Sequence, residues 1–481
     1  MSLSVALQAA LSGLRANQVG IDLVSRNVSN ATTEGYTRKT VPQTPLLVGG
    51  QGAGVELGQV TRQVSDQLQR QVRQGLSQAA NLGTIDDFLG RLELSFGKPG
   101  DNTSLGNAVS KLADSFRTLA NSPESVTAQN EVIARAEELA TTLNDLGDSV
   151  QALRSEAERG IADSVAKING LLSDIEKLNA QIVTANSAGQ STADLEDQQD
   201  RKLDELSKEI GINYYRRDNG QITITTESGR TLLDGVAHQL QFNASAQVTS
   251  IAAYPGSLNG VTIDGIDLFQ APPVTPPMTE VGSGRLAALA DLRDRILPQA
   301  ELQLDELASV MTQQFMGLTP PLELFQDGGA TYNVANITGY AQRISVNQTV
   351  VSQSWRLRDG TAAALPNTTT PSDGTLPRAV IDMFTAVQTF SGTTGLGTQF
   401  TFSQYGATFV GYQANQRQTA SDRLSNQEAI NDALTTRLTG ESGVNVDQEM
   451  ALMVQLQNAY SANARVVSAI KEMLDALLQI A

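Results

Sequence analysis

The residue types that usually carry catalysis or bind metals are scarce in this sequence. His238 is the only histidine among 481 residues, and there is no cysteine. A Ser–His or Cys–His dyad would therefore depend on His238 alone, and a metal site would receive one imidazole and no thiolate. His238 lies in a stretch typical of β-strands and turns, where a structural or surface role is the simpler interpretation. We predict no catalytic residue, no metal site and no cofactor, and we expect that the chain is not an enzyme.

Two other patterns resemble binding motifs but lack their context. The glycines at positions 49, 50, 52 and 54 come close to a dinucleotide-binding loop, yet no window matches G-x-G-x-x-G and no βαβ pattern surrounds them. They indicate a flexible loop. Neighbouring carboxylates such as Asp204 and Glu205 lie on predicted helices with Arg or Lys nearby, which is typical of a solvated helix face.

The charge balance argues against nucleic-acid binding. The net charge is −17 and the isoelectric point is near 4.6, so the chain lacks the basic surface that releases counterions from a phosphate backbone. No apolar run approaches the ~18 residues of a membrane span. We therefore expect no membrane insertion, and we expect no cleavable signal peptide from the first residues. Low fractions of aromatic (5%) and charged (18%) residues favour long helices with Leu, Val and Ala seams.

Both ends of the chain carry the heptad pattern of a helix that packs against another helix. Each seam has one asparagine at a core position, which costs stability but fixes the register and the number of partners. We assign both seams to a helical assembly interface. The N-terminal seam contains Leu3, Leu7, Leu14, Asn17, Ile21, Val24 and Val28. The C-terminal seam contains Met453, Leu456, Tyr460, Asn463, Val467, Ile470, Leu474 and Leu477.

The C-terminal helix has a predicted start. Gly440 and Gly443 break the preceding helical pattern, Asn445 is a good N-cap, and Gln448 completes a capping box three residues later. A terminal helix alone is marginally stable in water, so each seam needs a partner. We expect the two termini to pair and to form a discontinuous coiled-coil assembly domain of residues 1–40 and 441–481.

Helical periodicity fills most of the remaining sequence. We assign residues 41–210 and 281–440 to a helical rod domain, with an irregular insert rich in Gly, Thr and Pro at 318–375. The predicted helices cover residues 61–96, 104–121, 132–182, 195–210, 284–316, 376–389 and 398–438.

A change to period-two alternation marks a smaller β-rich domain. Asp218-Asn219-Gly220 between two alternating runs predicts a β-hairpin, and further turns extend a β-rich outer domain over residues 211–280. We expect this domain at the far end of the rod. The fold class is therefore mainly α with a smaller β-rich domain, in an elongated rod of long helical coiled-coil or bundle domains built from both chain ends. A stiff exit linker is predicted from Pro272, Pro273, Pro276 and Pro277.

Motifs near both ends resemble the signatures of a known family. Residues 25–30 read Ser-Arg-Asn-Val-Ser-Asn, and residues 33–38 read Thr-Glu-Gly-Tyr-Thr-Arg. Residues 442–449 read Ser-Gly-Val-Asn-Val-Asp-Gln-Glu, and the pattern continues through 457–465. These segments resemble the terminal signatures shared by the axial proteins of the bacterial flagellum. Within that group, residues 35–38 and 284–316 are most similar to the members that join hook and filament. The family-motif residues are Asn27, Asn30, Gly35 and Tyr36.

The resemblance implies a structural subunit of the flagellum at the junction between hook and filament. Such a protein is exported through the flagellar secretion channel without signal cleavage, and it assembles on the hook tip as a short helical ring. The implied partners are further copies of the chain, the hook protein, the second hook–filament junction protein, and an export chaperone at the C-terminal region. The implied location is extracellular, on the flagellum, and the two terminal seams are the implied assembly surfaces.

Three alternatives stay open. The chain is compatible with another flagellar axial protein, such as the second junction protein or a filament subunit, because these differ mainly in their middle segments. A secreted adhesin or effector with a coiled-coil stalk would also show terminal seams. An enzyme in the β-rich domain, for example one that binds or cleaves glycans, would need paired acidic residues in a groove.

Overall fold

Long helices dominate the structure, a computed structural model that describes residues 3–48, 51–97, 104–269 and 282–480, without the side chains of 48, 51 and 477–480. A mainly α fold was predicted, and it is confirmed. The helices are α1 (Leu3–Ser29), α2 (Asp66–Phe96), α3 (Leu105–Asn121), α4 (Val126–Ser187), α5 (Ala193–Glu209), α6 (Arg285–Asp291), a π-helix (Leu292–Ile296), α7 (Leu297–Met316), α8 (Tyr340–Arg343), α9 (Gln348–Ser352), α10 (Arg356–Asp359), α11 (Thr375–Thr385), α12 (Phe402–Ser442) and α13 (Val446–Ile480).

The strands are short and form small antiparallel sheets. In chain order they are β1 (Lys39–Thr40), β2 (Gln43–Val48), β3 (Gln51–Leu57), β4 (Thr61–Arg62), β5 (Ile212–Arg216), β6 (Ile222–Thr226), β7 (Thr231–Asp234), β8 (Val236–Ala237), β9 (Leu240–Gln241), β10 (Thr262–Ile263), β11 (Ile266–Asp267), β12 (Phe325–Asp327), β13 (Ile344–Val346), β14 (Gln388–Thr389) and β15 (Gln399–Phe400).

Helix α4 is the central element of the helical part. Its 62 residues contain no proline and span about 93 Å at the usual rise per residue. An apolar stripe is buried along it from Val132 to Ile182, as the helical period predicted. Helices α3, α5 and α7 pack against it. This length lets α4 contact the β-rich strands, the far-end segment and α5 within one hydrophobic core.

Helices α2 and α12 form a long antiparallel pair beside this core. Glycines of α2, spaced by about one heptad, lie where α12 approaches. The contact pairs are Gly75 with Asn431, Gly83 with Leu424 and Gly90 with Arg417. A side chain at Gly75 would collide with Asn431, whose Nδ2 instead donates a 3.0 Å hydrogen bond to the Gly75 carbonyl oxygen. The missing side chains allow close approach, and the buried amide fixes the register.

The β-rich region lies along the side of α4 and not at the far end of the rod. The predicted hairpin is confirmed, since β5 pairs with β6 and Gly220 in the turn has φ +87°. Asn179 of α4 hydrogen-bonds to the backbone of Ile222, and Asn169 hydrogen-bonds to the backbone of Leu240, at 2.8–2.9 Å. Sheets this small need a helix to cover their apolar face, so the strands share the helical core. The predicted proline linker lies outside the described residues.

The far end is instead built from residues 318–400, near the N-terminus of α4. The segment 318–375, expected to be irregular, contains the β12–β13 pair and the short helices α8 to α10. Phe315 is the centre of an aromatic cluster there, with ring centroids 5.8 Å from those of both Phe325 and Phe384. Ser354 donates a 2.8 Å hydrogen bond to Gln129 of α4. Much of the chain's small aromatic content is therefore concentrated at this end.

Two buried arginines attach the β-rich region to α4. The π-helix places Arg293 fully inside the protein, where Nη1 donates to Glu158 at 2.6 Å and to the Asn259 carbonyl oxygen at 3.0 Å. Arg154 of α4 donates to the carbonyl oxygen of Ala252 at 2.7 Å. A buried guanidinium requires partners for its N–H groups. Loops of the β-rich region supply them, which couples that region to the helices.

One buried acid holds the turn at α8. Asp305 of α7 accepts hydrogen bonds from the backbone N–H groups of Gly339 at 2.6 Å and Ala341 at 2.8 Å. Burial raises the pKa of Asp305 to about 7, and it outweighs the lowering effect of these two N–H groups and of Arg343. The neighbouring Glu301 carboxylate adds to the increase.

We expect the stability of this region to fall between about pH 4 and pH 7. In the folded chain Asp305 keeps its proton up to about pH 7, whereas in the unfolded chain it ionises near 3.8. The folded state binds more protons in this window, so the free energy of unfolding decreases as pH rises and then stays level. Urea unfolding at pH 5 and pH 7.5 measures this slope, and Asp305→Asn should reduce it. Equal slopes for the two proteins would contradict the assignment.

Candidate assembly interface

Helices α1 and α13, from opposite ends of the chain, pack side by side in antiparallel orientation. Their closest positions repeat every seven residues on both helices. The pairs are Gly13 with Asn463, Gly20 with Leu456 and Asn27 with Glu449. Ala16 and Leu23 are buried between these positions. The contact is therefore a heptad-spaced helix pair in which small residues of α1 let the backbones approach.

The predicted seam residues lie beside this contact, on one flank of the helix pair. Leu14, Ile21 and Val28 each follow a contact residue of α1 by one position, which turns them about 100° round the helix. In α13, residues 453, 460, 467 and 474 each follow a contact position by four, a turn of about 40° in the same sense. Because the helices are antiparallel, both rotations lead to the same side. We call this side the open flank: Leu3, Leu7, Leu14, Ile21, Val28, Met453, Tyr460, Val467 and Leu474.

Most open-flank residues are only half-buried. Tyr460 is 41% exposed, whereas Ile470 is buried at the contact itself. Asn17 and Asn463 are half-buried, Val24 is buried, and Leu456 packs against Gly20. Leu477 lies in α13, but its side chain is outside the described residues. Pairing α1 with α13 thus leaves an apolar strip partly open to solvent.

The β2–β3 hairpin covers the opposite flank of α1. Ser12 and Ala9 precede the contact residue Gly13, so they point to the other side. Ser12 Oγ accepts a 3.0 Å hydrogen bond from the backbone N–H of Val55. Gly54 has φ +141°, and a side chain there would collide with Ser12. Glycine is therefore required for the hairpin to lie directly on the helix.

Asn27 is the central residue at the base of the helix pair, and it is buried. Its Nδ2 donates to Glu449 Oε2 and to the Lys39 carbonyl oxygen, both at 3.0 Å. Its Oδ1 accepts from Tyr36 Oη at 3.0 Å and from the Lys39 N–H at 3.2 Å. Arg38 Nε forms a 2.7 Å ion pair with the other oxygen of Glu449. One amide therefore joins α1, α13 and the strand that leaves α1.

The other family-motif residues shape the exit from α1. Asn30 Nδ2 donates to the Arg26 carbonyl oxygen at 2.9 Å and so covers the end of the helix. Gly35 has φ +73° and lies against Arg201 of α5. The Lys39 ammonium lies 3.8 Å from the centre of the Tyr36 ring. All four motif residues thus belong to one joint between α1, α13 and α5.

A ladder of ion pairs, in which the cations are buried, connects this joint to the helical core. Three cations come from the chain around and after β1, and the carboxylates come from α5. The pairs are Lys39 with Asp194 and Asp197, Arg62 with Glu196, Asp197 and Asp200, and Arg73 with Asp200 and Asp204. Burial would raise the pKa of Asp200, but the guanidinium groups of Arg73 and Arg62 outweigh it and lower this pKa to about 2.

Sequence reasoning did not identify this ladder. Asp204 was interpreted as part of a solvated helix face, and its side chain is indeed partly exposed, but it pairs with buried Arg73. Asp197, Asp200 and Asp204 are spaced by three and four residues on one face of α5. This spacing indicates an acidic face on α5. Nothing in the sequence shows which cations lie opposite that face.

Among the described residues there is no cluster of three or more His, Cys, Asp or Glu that could hold a metal ion. His238 is near the surface, with Nδ1 2.7 Å from Asp264. No helix within the described ranges is long and apolar enough to cross a membrane.

Comparison with known proteins points to the flagellum. Residues 89–317 match the model of the flagellar hook-associated protein FlgK helical domain, and residues 440–480 match the C-terminal model of flagellar basal body rod FlgEFG proteins. A relative in Bacillus subtilis, flagellar hook-associated protein 1, is 24% identical over 98% of this chain and 97% of its own length. This chain is similar to flagellar hook-associated protein 1 and matches the FlgK helical domain.

Other relatives match a smaller part of the chain. Flagellar hook-associated protein 1 of Salmonella typhimurium is 29% identical over 64% of this chain and 55% of its own length. The chain thus spans about half the length of that relative. The solved structure of the flagellar hook junction protein FlgK from Burkholderia pseudomallei is 25% identical, with a TM-score of 0.44, over 54% of this chain and 47% of that one.

We expect Asn27→Ala to loosen the terminal helix pair more than Asn30→Ala. The first change removes four hydrogen bonds and leaves buried Glu449 without one partner, which should cost about 3 kcal/mol. The second removes two hydrogen bonds at an exposed helix end and should cost below ~1 kcal/mol. Native-state hydrogen exchange of amides in α1 and α13 measures both. Similar losses of protection in the two variants would show that Asn27 has no special role.

Proposed function

We propose that this chain is a structural subunit of the junction between the flagellar hook and filament, exported and then assembled through its terminal helices. The observation that carries the proposal is the open flank. Paired α1 and α13 leave a strip of leucine, isoleucine, valine and aromatic side chains partly exposed along most of both helices. Covering apolar surface yields roughly 25 cal/mol per Å², so neighbouring subunits would gain by burying this strip.

A second exposed stripe on α13 supports assembly by the same helices. Val446, Met450 and Val454 are exposed and follow one another at intervals of four residues. Soluble monomers seldom leave contiguous apolar patches exposed, and such a patch marks a site that a partner covers. Contacts between different surfaces of identical subunits generate helical rather than closed two-fold arrangements. A short helical ring of this chain is the arrangement that we propose.

The partners follow from position in that ring. The hook protein would contact one end of the ring, and the second hook–filament junction protein would contact the other. An export chaperone would cover the exposed apolar residues of α13 before assembly. The location that we propose is extracellular, on the bacterial flagellum. The role that we propose is structural and not enzymatic, in line with the names of the relatives.

We also propose how the chain is divided into domains. Residues 1–40 with 441–481 form the assembly domain, and residues 41–210 with 281–440, including the insert at 318–375, form the helical rod domain. Residues 211–280 form the β-rich domain on its side. Two observations support this division. The α1–α13 contact has apolar residues of its own that lie outside the main core. Lys39 of the first domain meets the second through ion pairs with Asp194 and Asp197.

Deleting the gene should leave cells with hooks and no filaments. If this subunit joins the two structures, filament protein has no platform and is lost to the medium. Electron microscopy of the cells and an immunoblot of the medium for filament protein measure the result. Normal filaments in the deletion strain would overturn the junction role.

A charge on the open flank should prevent assembly. Leu14→Asp or Leu474→Asp would place a carboxylate in an interface that excludes water, so we expect no incorporation into flagella. Gln8→Asp adds the same charge on the solvent side of α1 and serves as the matched control. Circular dichroism of the purified variants checks that the helical domain is folded. Normal incorporation of both leucine variants would show that the flank is not an assembly surface.

A further inference from the structure

A cavity of about 150 Å³ lies in the helical part of the chain, between α2, the π-helix and α12. We call it the rod cavity. Its apolar wall consists of Leu82, Ile85 and Leu89 of α2 and Ile296 of the π-helix. A cavity of this volume has room for one benzene ring. None of the described residues that line it belongs to α1 or α13, so it is separate from the candidate assembly interface.

The π-helix shapes one side of the rod cavity. Its wider turn directs Arg293 into the protein interior, whereas Arg295 and Ile296 line the cavity. Turns of this kind are rare, and they occur frequently at functional sites. The cavity therefore lies where the helical backbone departs from its regular form.

The α12 side of the rod cavity presents hydrogen-bond donors. Tyr412 Oη accepts a 2.7 Å hydrogen bond from Gln416 Nε2, which leaves the phenol hydrogen available for another acceptor. Arg423 adds a guanidinium group, which has several N–H donors and no acceptor. An apolar wall with a few polar groups beside it is the usual composition of a small-molecule site.

Arg423 is the unpaired cation among the described arginines around this cavity. Arg295 donates to both carboxylate oxygens of Asp291, and Arg417 pairs with Glu93 at 2.7 Å. Arg423 forms no ion pair or hydrogen bond with any described residue. A carboxylate is the group that suits it best, because two N–H groups of a guanidinium can donate to two carboxylate oxygens.

Size and charge together define the class of ligand. A long alkyl chain or a fused ring system exceeds a volume of about 150 Å³. A ligand with several negative charges would be repelled by a protein of net charge −17, whereas a single carboxylate needs only one guanidinium.

We propose that the rod cavity binds a small aromatic carboxylate. The ring lies against the leucine and isoleucine side chains, and the carboxylate accepts hydrogen bonds from Arg423 and Tyr412. The ligand contacts α2 and α12 at once, so it stabilises the pairing of these two long helices. This binding concerns the helical rod alone and does not depend on which surface the terminal helices use for assembly.

Benzoate is the probe that tests this site. Isothermal titration and saturation-transfer NMR with the purified full-length chain measure its binding. We expect a dissociation constant on the order of 1 mM, as is usual for so small a ligand. Benzyl alcohol has the ring without the charge, and acetate has the charge without the ring. Each should bind at least about tenfold more weakly than benzoate.

Two variants locate the ligand. Arg423→Gln should weaken benzoate binding at least about tenfold, because it removes a charge-assisted hydrogen bond. Arg437→Gln changes an exposed arginine of α12 outside the cavity and is the matched control, for which we expect unchanged affinity. Thr419→Trp places an indole ring in the cavity from α12 and should abolish binding. Circular dichroism checks that each variant is folded.

Several results would overturn the proposal. These are the absence of saturable benzoate binding, equal affinity for benzyl alcohol, and equal effects of Arg423→Gln and its control. Benzoate binding that persists in folded Thr419→Trp would place the ligand elsewhere and would also overturn it. If Thr419→Trp does not fold, the comparison of Arg423→Gln with Arg437→Gln decides.

Discussion

The buried amide of Asn27 is the interaction on which the terminal part of the structure depends. It joins a helix from the start of the chain to Glu449 near its end and to the strand that follows α1. A buried carboxylate needs charged or hydrogen-bonding partners, and Asn27 and Arg38 provide them on its two oxygens. The neighbouring residue Lys39 then carries the connection into α5. Helix pairing and attachment to the rod therefore share one polar centre.

Much of the fold could be predicted from the sequence, because its helices are long and strongly periodic. The buried stripe of α4, the turn at Gly220 and the cap at Asn445 follow local rules, and Asn445 Oδ1 accepts a hydrogen bond from the Gln448 N–H as expected. The position of the β-rich region did not follow. Its strands are covered by α4, and a sequence pattern does not tell which distant element covers a small sheet.

The sequence predicted which apolar residues surround the candidate interface, but it did not predict the positions at which the two helices are closest. The heptad count identified leucines and valines, whereas the closest contacts between α1 and α13 lie one residue away, at Gly13 and Gly20. Hydrophobicity gives no weight to glycine, although a missing side chain is what allows two backbones to approach. The ladder at Arg62 was missed for a related reason, since charge pairs across 130 residues or more leave no periodic signal.

The nesting of the helix pairs also sets an order in which the chain can fold. Asn27 and Glu449 are 422 positions apart, and Gly75 and Asn431 are 356 apart. Contacts between such distant positions form late, because a long loop must close first. The N-terminal helix can pack on the β2–β3 hairpin early, but it lacks its helical partner until residues 446–480 are present, so the outermost helix pair is the last to close. Until then the contact face of α1, with Ala16 and Leu23, stays uncovered.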